Sequence, residues 1–161
     1  MTRILLAALF LAAGSHVAAA DLRGTVVGVT DGDTLTVLDG SHKQHKIRLT
    51  GIDAPEKRQP YGELSKQHLS ALVFKKEATL DCFKVDQYKR HVCRVWVDGK
   101  DVALAQVGAG LAWHFKRFEN EQTPDERVAY AQAENDARTS RTGLWQQQRP
   151  VPPWEFRRQT K

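Results

Sequence analysis

The chain has 161 residues, 24 of them basic and 19 acidic, for a formal net charge of +5. That length suits one domain around one core, and with no internal repeat or low-complexity tract, repeat arrays are excluded. The positive balance is compatible with a polyanionic partner without requiring one.

The first twenty residues differ in kind from the rest. Met1-Thr2-Arg3 gives a short positive start, Ile4 to Ala13 is almost wholly apolar, and Ala18-Ala19-Ala20 ends the segment with small residues. An apolar run of about ten residues is too short to span a bilayer, where about twenty are needed. The pattern is that of a cleaved signal peptide, 1–20, with Asp21 as the mature N-terminus and a secreted or periplasmic destination.

Strands come next. Thr25-Val26-Val27-Gly28-Val29 is β-branched and runs into the turn signal Asp31-Gly32. Thr34 to Leu38 alternates and stops at Asp39-Gly40, and Lys46 to Leu49 alternates with Ile47 and Leu49 on one face. Pro60 to Phe74 spaces Leu64, Leu69, Leu72 and Val73 as a helix would.

The stretch 78–97 reads as a hairpin turning at Asp86-Gln87-Tyr88-Lys89. Centred between 87 and 88, it sets Cys82 and Cys93 opposite each other, where Cβ atoms lie about 4.5–5.5 Å apart and a disulfide is within reach. Two free buried thiols, or a slipped register that parts them, are the alternatives. Asp101 to Val107 reads as a short helix stopped by Gly108. Thr123-Pro124-Asp125-Glu126 is a capping box with proline at the first helical position, opening a helix to about Arg138.

Gly143-Leu144-Trp145 closes the domain. The remainder, 147–161, holds prolines, Gln and Arg with little to bury, and is expected to be a mobile tail. Five strands with a helix between the third and fourth match the order of an oligonucleotide-binding (OB) barrel. The expected fold is therefore α+β, a five-stranded OB-fold β-barrel with about three helices, spanning 21–146.

Three short stretches carry the chemistry: Asp31-Gly32-Asp33-Thr34, Arg48-Leu49-Thr50-Gly51-Ile52-Asp53-Ala54-Pro55-Glu56, and Asp86-Gln87-Tyr88-Lys89-Arg90. Singly each is ordinary, since Asp-Gly is a common turn and an arginine at a hairpin tip is usually solvated. Together, in this order and with a terminal G-L-W, they resemble the staphylococcal nuclease family over about Thr25 to Trp145. The resemblance implies hydrolysis of phosphodiester bonds in DNA and RNA, from within or from ends. It further implies a preference for single strands, 3′-phosphate products, a calcium cofactor and a monomer without membrane attachment once the leader is gone.

Carried over residue by residue, the resemblance makes Asp33, Asp53 and the carbonyl of Ala54 the calcium ligands, in keeping with a hard cation's preference for oxygen. Glu56 is the candidate general base. Arg48 and Arg90 match the two arginines that neutralise phosphate charge, a role suited to planar guanidinium groups. Tyr88 and Lys89 at the hairpin tip, with Trp113 and Phe115 further on, are the candidate substrate contacts, aromatic faces beside basic residues being suited to unpaired bases. For Trp113 and Phe115 an ordinary core role stays open.

The chain departs from the family at the hairpin tip, where Lys89 stands at a frequent glycine position; a left-handed backbone there would cost about 1–2 kcal/mol. The histidines beyond the leader, His42, His45, His68, His91 and His114, show no paired ligand spacing, which counts against a zinc hydrolase. A binding module of the same fold, without catalysis, is the rival reading. Such modules often lose the acids, whereas Asp33, Asp53, Glu56, Arg48 and Arg90 are all present.

Overall fold

The computed structural model describes residues 22–159. The leader and its cleavage position lie outside the described residues, as do the last two residues of the tail. Five strands build the barrel: β1 (Leu22–Val29), β2 (Thr34–Asp39), β3 (Gln44–Leu49), β5 (Glu77–Val85) and β6 (His91–Val97). The two-residue strands β4 (Ile52–Asp53), β7 (Lys100–Asp101) and β8 (Trp113–His114) are accessory. β1 pairs antiparallel with both β2 and β5, β2 with β3, and β5 with β6. A parallel pairing of β3 with β6, Ile47 opposite His91 and Leu49 opposite Cys93, closes the sheet on itself. The result is an OB-fold barrel with no free edge between its first and last members.

The alternation that defined the strands in sequence decides what fills the barrel. Val26, Leu35, Val37, Ile47, Leu49, Leu80 and Val95 form its interior, joined by Leu69 and Val73 from helix α1 (Gly62–Val73). Arg48, between Ile47 and Leu49, therefore leaves through the opposite face. A bulge in β1 between Val26 and Gly28 turns Val27 outward. In the β5–β6 hairpin, Cys82 opposes Cys93 and the two are disulfide-bonded. Past Cys82 a bulge at residue 83 shifts the register by one, so that Lys84 meets Val92.

The helix expected over 60–74 is present as α1. Its buried stripe is Gly62, Ser65, Leu69 and Val73, while Leu64 is 48% exposed. The hydroxyl of the inward Ser65 donates to the carbonyl of Leu111 at 2.7 Å. The inner stripe follows the i, i+3, i+4 rows of a helix, from which residue 64 is rotated away. Helix α2 (Val102–Gly108) is capped by Asp101, whose carboxylate accepts from the Leu104 amide. Helix α3 (Pro124–Thr139) begins on the full capping box of Thr123 and Glu126.

The tail buries more than its composition suggested. A short helix, α4 (Pro153–Gln159), sets Pro153 in the interior, and the Trp154 ring stacks on Phe115 at 5.2 Å and meets Trp113 edge-on at 5.6 Å. Gln59 adds an anchor by donating to the carbonyl of Val151 at 2.6 Å. Aromatic contacts of this kind contribute about 0.5–1.5 kcal/mol beyond the area they bury. They hold the segment against the domain without a long apolar run.

At the hairpin tip Lys89 sits at φ 62°, in the left-handed region. Replacing it with glycine removes a strain of about 1–2 kcal/mol, partly offset by about 0.5–1 kcal/mol of added unfolded-chain freedom. Lys89→Gly should therefore raise the melting temperature by about two to four degrees in a thermal melt; a fall would show that the lysine side chain has stabilising contacts of its own.

Candidate active site

The first loop, between β1 and β2, is held by close packing. Gly32 lies so near α1 that a Cβ there would stand 1.9 Å from Ser65 Oγ and 2.7 Å from Ala54 Cβ. Its carbonyl accepts from the fully buried Gln106 Nε2 at 2.7 Å, which ties the loop to α2. Asp33 next to it is 6% exposed. Its Oδ2 accepts from the Ala54 amide at 2.8 Å, and its Oδ1 from the Thr34 hydroxyl at 3.1 Å.

The second loop leaves β3 and returns as β4, which pairs with β8 so that Asp53 lies opposite Trp113. Asp53 is 1% exposed. Arg48 spans the two acids, Nη1 reaching Asp33 Oδ2 at 3.0 Å and Nη2 reaching Asp53 Oδ1 at 3.3 Å. Nη1 also donates to the carbonyl of Leu49 at 3.0 Å, and Nη2 to that of Ile52 at 2.9 Å. Three residues on, the Glu56 side chain is much more open, at 40%.

The third loop brings Arg90. Asp86 shapes the turn, its Oδ1 accepting from the amides of Tyr88 and Arg90 and its Oδ2 from Arg90 Nε at 2.8 Å. Arg90 Nη1 then donates to Thr34 Oγ1 at 3.2 Å, and that hydroxyl in turn donates to Asp33. The parallel β3–β6 pairing puts this arginine beside the acids, because β6 starts where β3 delivers Arg48.

These residues line one cleft of about 1410 Å³, together with Trp113, Phe115, Tyr88 and the basic Lys46, Lys84 and Lys116. Asp33, Arg48, Asp53, Ala54, Glu56 and Arg90 are thus brought together. Tyr88 stands at the rim, 69% exposed, with Arg90 over its ring. Lys89 is outside the cleft lining. Trp113 is both core and wall: buried against Trp145 and Ala137, it also lines the cleft.

The electrostatics reflect burial of like charges. Burial and the neighbouring Asp33 push Asp31 up to about 6. Burial also pushes Asp53 upward, while hydrogen bonds and charge from Arg157 and Arg48 pull it back. Arg157 was not anticipated from the sequence. From α4 it donates Nη2 to Asp53 Oδ2 at 2.7 Å, and Nη1 to Asp53 Oδ1 at 3.1 Å and Glu56 Oε1 at 2.7 Å. The available signal was a tryptophan and two arginines just after a pair of prolines, a helix start that the tail's composition masked. Gln106 was missed as well, since nothing in its spacing marks a buried amide that serves another loop.

Two buried carboxylates, all-oxygen donors and a concentration of negative charge met by guanidinium groups fit a hard divalent cation. Among the described residues no group of three or more His, Cys, Asp or Glu is gathered as a metal cage.

Acids and arginines thus share one cleft on an OB barrel, an arrangement suited to a phosphodiester. The chain matches the family described as "Staphylococcal nuclease homologue" over residues 46–147. It is 40% identical over 139 residues to an "Uncharacterized endonuclease" of Escherichia coli O157:H7, covering 86% of each chain. An "Uncharacterized endonuclease" of Haemophilus influenzae is 38% identical over 136 residues, 84% of this chain and 73% of that one. "Staphylococcal-like nuclease CAN1" of Arabidopsis thaliana is 37% identical over 116 residues, 72% of this chain and 34% of the plant protein. The chain belongs to the staphylococcal nuclease family. It is a nuclease, a hydrolase acting on nucleic acid.

A methyl at position 32 has nowhere to go, because Ser65 is itself fully buried. Gly32→Ala should cost about 1–3 kcal/mol and displace the Asp33 loop, read as a lower melting temperature with reduced turnover. An unchanged melt would show that α1 yields easily at this point.

Proposed function

We propose that the enzyme is a calcium-dependent endo- and exonuclease that prefers single-stranded DNA and RNA and leaves 3′-phosphate ends. The observation that carries this reading is that Arg48, Arg90, Asp33, Asp53 and Glu56 line one cleft, with Arg48 bonded to Asp33 and Asp53 and Arg90 bonded to Thr34 beside Asp33. Asp33, Asp53 and the Ala54 carbonyl are the assigned calcium ligands; a bound calcium would polarise the phosphate and order the attacking water.

The chain's own residues supply the remainder. Glu56, open to solvent, takes the proton of a water as its oxygen bonds to phosphorus and the bond to the 5′ oxygen breaks. That oxygen leaves with the electron pair and takes up a proton from solvent. Arg48 and Arg90 donate hydrogen bonds to the phosphate oxygens on which charge gathers, and being held in place beforehand they need little reorganisation. Tyr88 at the rim and Phe115 in the wall are the assigned base contacts, Trp113 supports that wall, and Lys89 adds charge near the strand's approach. A flexible single strand fits such stacking better than a stiff duplex.

The leader-like first twenty residues and the Cys82–Cys93 disulfide both suit export to an oxidising compartment, periplasmic or extracellular. The enzyme is proposed to act as a monomer.

Arg90 is the cleaner probe of the two arginines, because removing Arg48 also takes the guanidinium from buried Asp33, at a stability cost of about 3–5 kcal/mol, while Asp53 keeps Arg157. Arg90→Ala should lower turnover on labelled single-stranded DNA by about a hundredfold or more, with an unchanged circular dichroism spectrum. Arg48→Ala should lose at least as much activity and also melt earlier. A folded Arg90→Ala protein with near-normal turnover removes Arg90 from the mechanism.

A further inference from the structure

The assigned metal ligand Asp53 has both carboxylate oxygens covered. Arg48 reaches only Oδ1, whereas Arg157 holds Oδ1 at 3.1 Å and Oδ2 at 2.7 Å, and extends to Glu56 at 2.7 Å. Among the described residues, the hydrogen bond to Oδ2 comes from the tail. A carboxylate oxygen has lone pairs to spare, but a divalent ion on Asp53 would sit against a guanidinium already bound to the same group, two cations within a few ångströms. The two ligands compete for one charge.

The competitor is also preorganised. Trp154, one helical turn before Arg157, is fixed by the stack on Phe115 and the edge contact with Trp113, and Pro153 is buried. Gln59, whose side-chain oxygen accepts from the Glu56 amide at 3.1 Å, holds the Val151 carbonyl just upstream. The loop that bears Glu56 and the tail that covers it are therefore tied together. Arg158, the neighbouring cation, lies in the cleft lining without touching Asp53, and its ion pair is with Glu155 at 4.0 Å.

We propose that Arg157 is an intramolecular stand-in for the metal: it occupies Asp53 and Glu56 when the cation is scarce and must release them before the site can be loaded. The proposal rests on the calcium reading above. It makes the tail a gate on cofactor loading, with the calcium concentration at which the enzyme opens set by how tightly α4 holds its arginine. The apparent affinity for calcium is reduced by the fraction of chains in which the acids are free.

The test is calorimetric titration of calcium into the full-length protein without nucleic acid, comparing the parent with Arg157→Gln, Arg157→Lys and Arg158→Gln. If about nine chains in ten are closed, Arg157→Gln should bind calcium about tenfold more tightly than the parent. Arg157→Lys should fall between them, since an ammonium makes no bidentate contact. Arg158→Gln removes the same charge one residue away and should change the affinity by less than about twofold, exposed charges being screened over about 8 Å at physiological salt. Equal affinities of the parent and Arg157→Gln would overturn the proposal and leave the calcium reading intact. An equal gain in Arg158→Gln would reduce it to a field effect and overturn it too. Failure of the parent and all three variants to bind calcium would defeat the calcium reading, and the gate with it.

Discussion

Arg48 is the contact on which the site depends. Two carboxylates, Asp33 and Asp53, are taken almost wholly out of water, and such a pair is tolerable only if opposite charge and hydrogen bonds replace the lost hydration. The Arg48 guanidinium reaches each acid and two carbonyls of its own loop, and Arg157 adds a second guanidinium on Asp53. The Ala54 amide completes the arrangement by donating to Asp33, which joins the first loop to the second. Geometry and charge are therefore not separate features here. The bonds that make the buried acids affordable are those that fix where a phosphate would meet them.

The barrel makes this possible through its closure. Antiparallel pairing sets Thr34 opposite Arg48, and the parallel β3–β6 pairing carries the start of β6, and so Arg90, to the same end of the sheet. Thr34 links them: it donates to Asp33 and accepts from Arg90. Behind the loops, Gln106 and Ser65 fill the space under Gly32 with satisfied polar groups. The loops are thus backed by packed helices, which keeps a site built on turns from being a loose one.

Much of this was legible in the sequence where local pattern and long-range structure agree. Alternation at Thr34–Leu38 and Lys46–Leu49 gave the right inner faces, because a barrel interior demands period two. Centring the hairpin placed Cys82 against Cys93, although the bulge at residue 83 moves the tip by one. The three acid and arginine stretches pointed to the cleft because their spacing is specific. Reading failed where a partner lies far away in the chain. The spacing of Leu64, Leu69, Leu72 and Val73 marks the helix, yet Leu64 is exposed and Ser65 joins the inner stripe, where it bonds the Leu111 carbonyl. The two-residue β4–β8 pairing is too short to leave a pattern. The tail was read by composition, and its affinity for the cleft lies in Trp154 and Arg157, two side chains whose partners are about forty and one hundred residues away.

The central claim is that these acids and arginines form a cation-dependent phosphodiester-cleaving centre. The most direct measurement is cleavage of labelled single-stranded DNA by the purified protein with calcium, with magnesium, and with chelator. Cutting in calcium that chelator abolishes and added calcium restores, with 3′-phosphate ends on the products, is the expected result. Cleavage that persists undiminished in chelator, or a folded protein that binds the DNA and never cuts it, would contradict it.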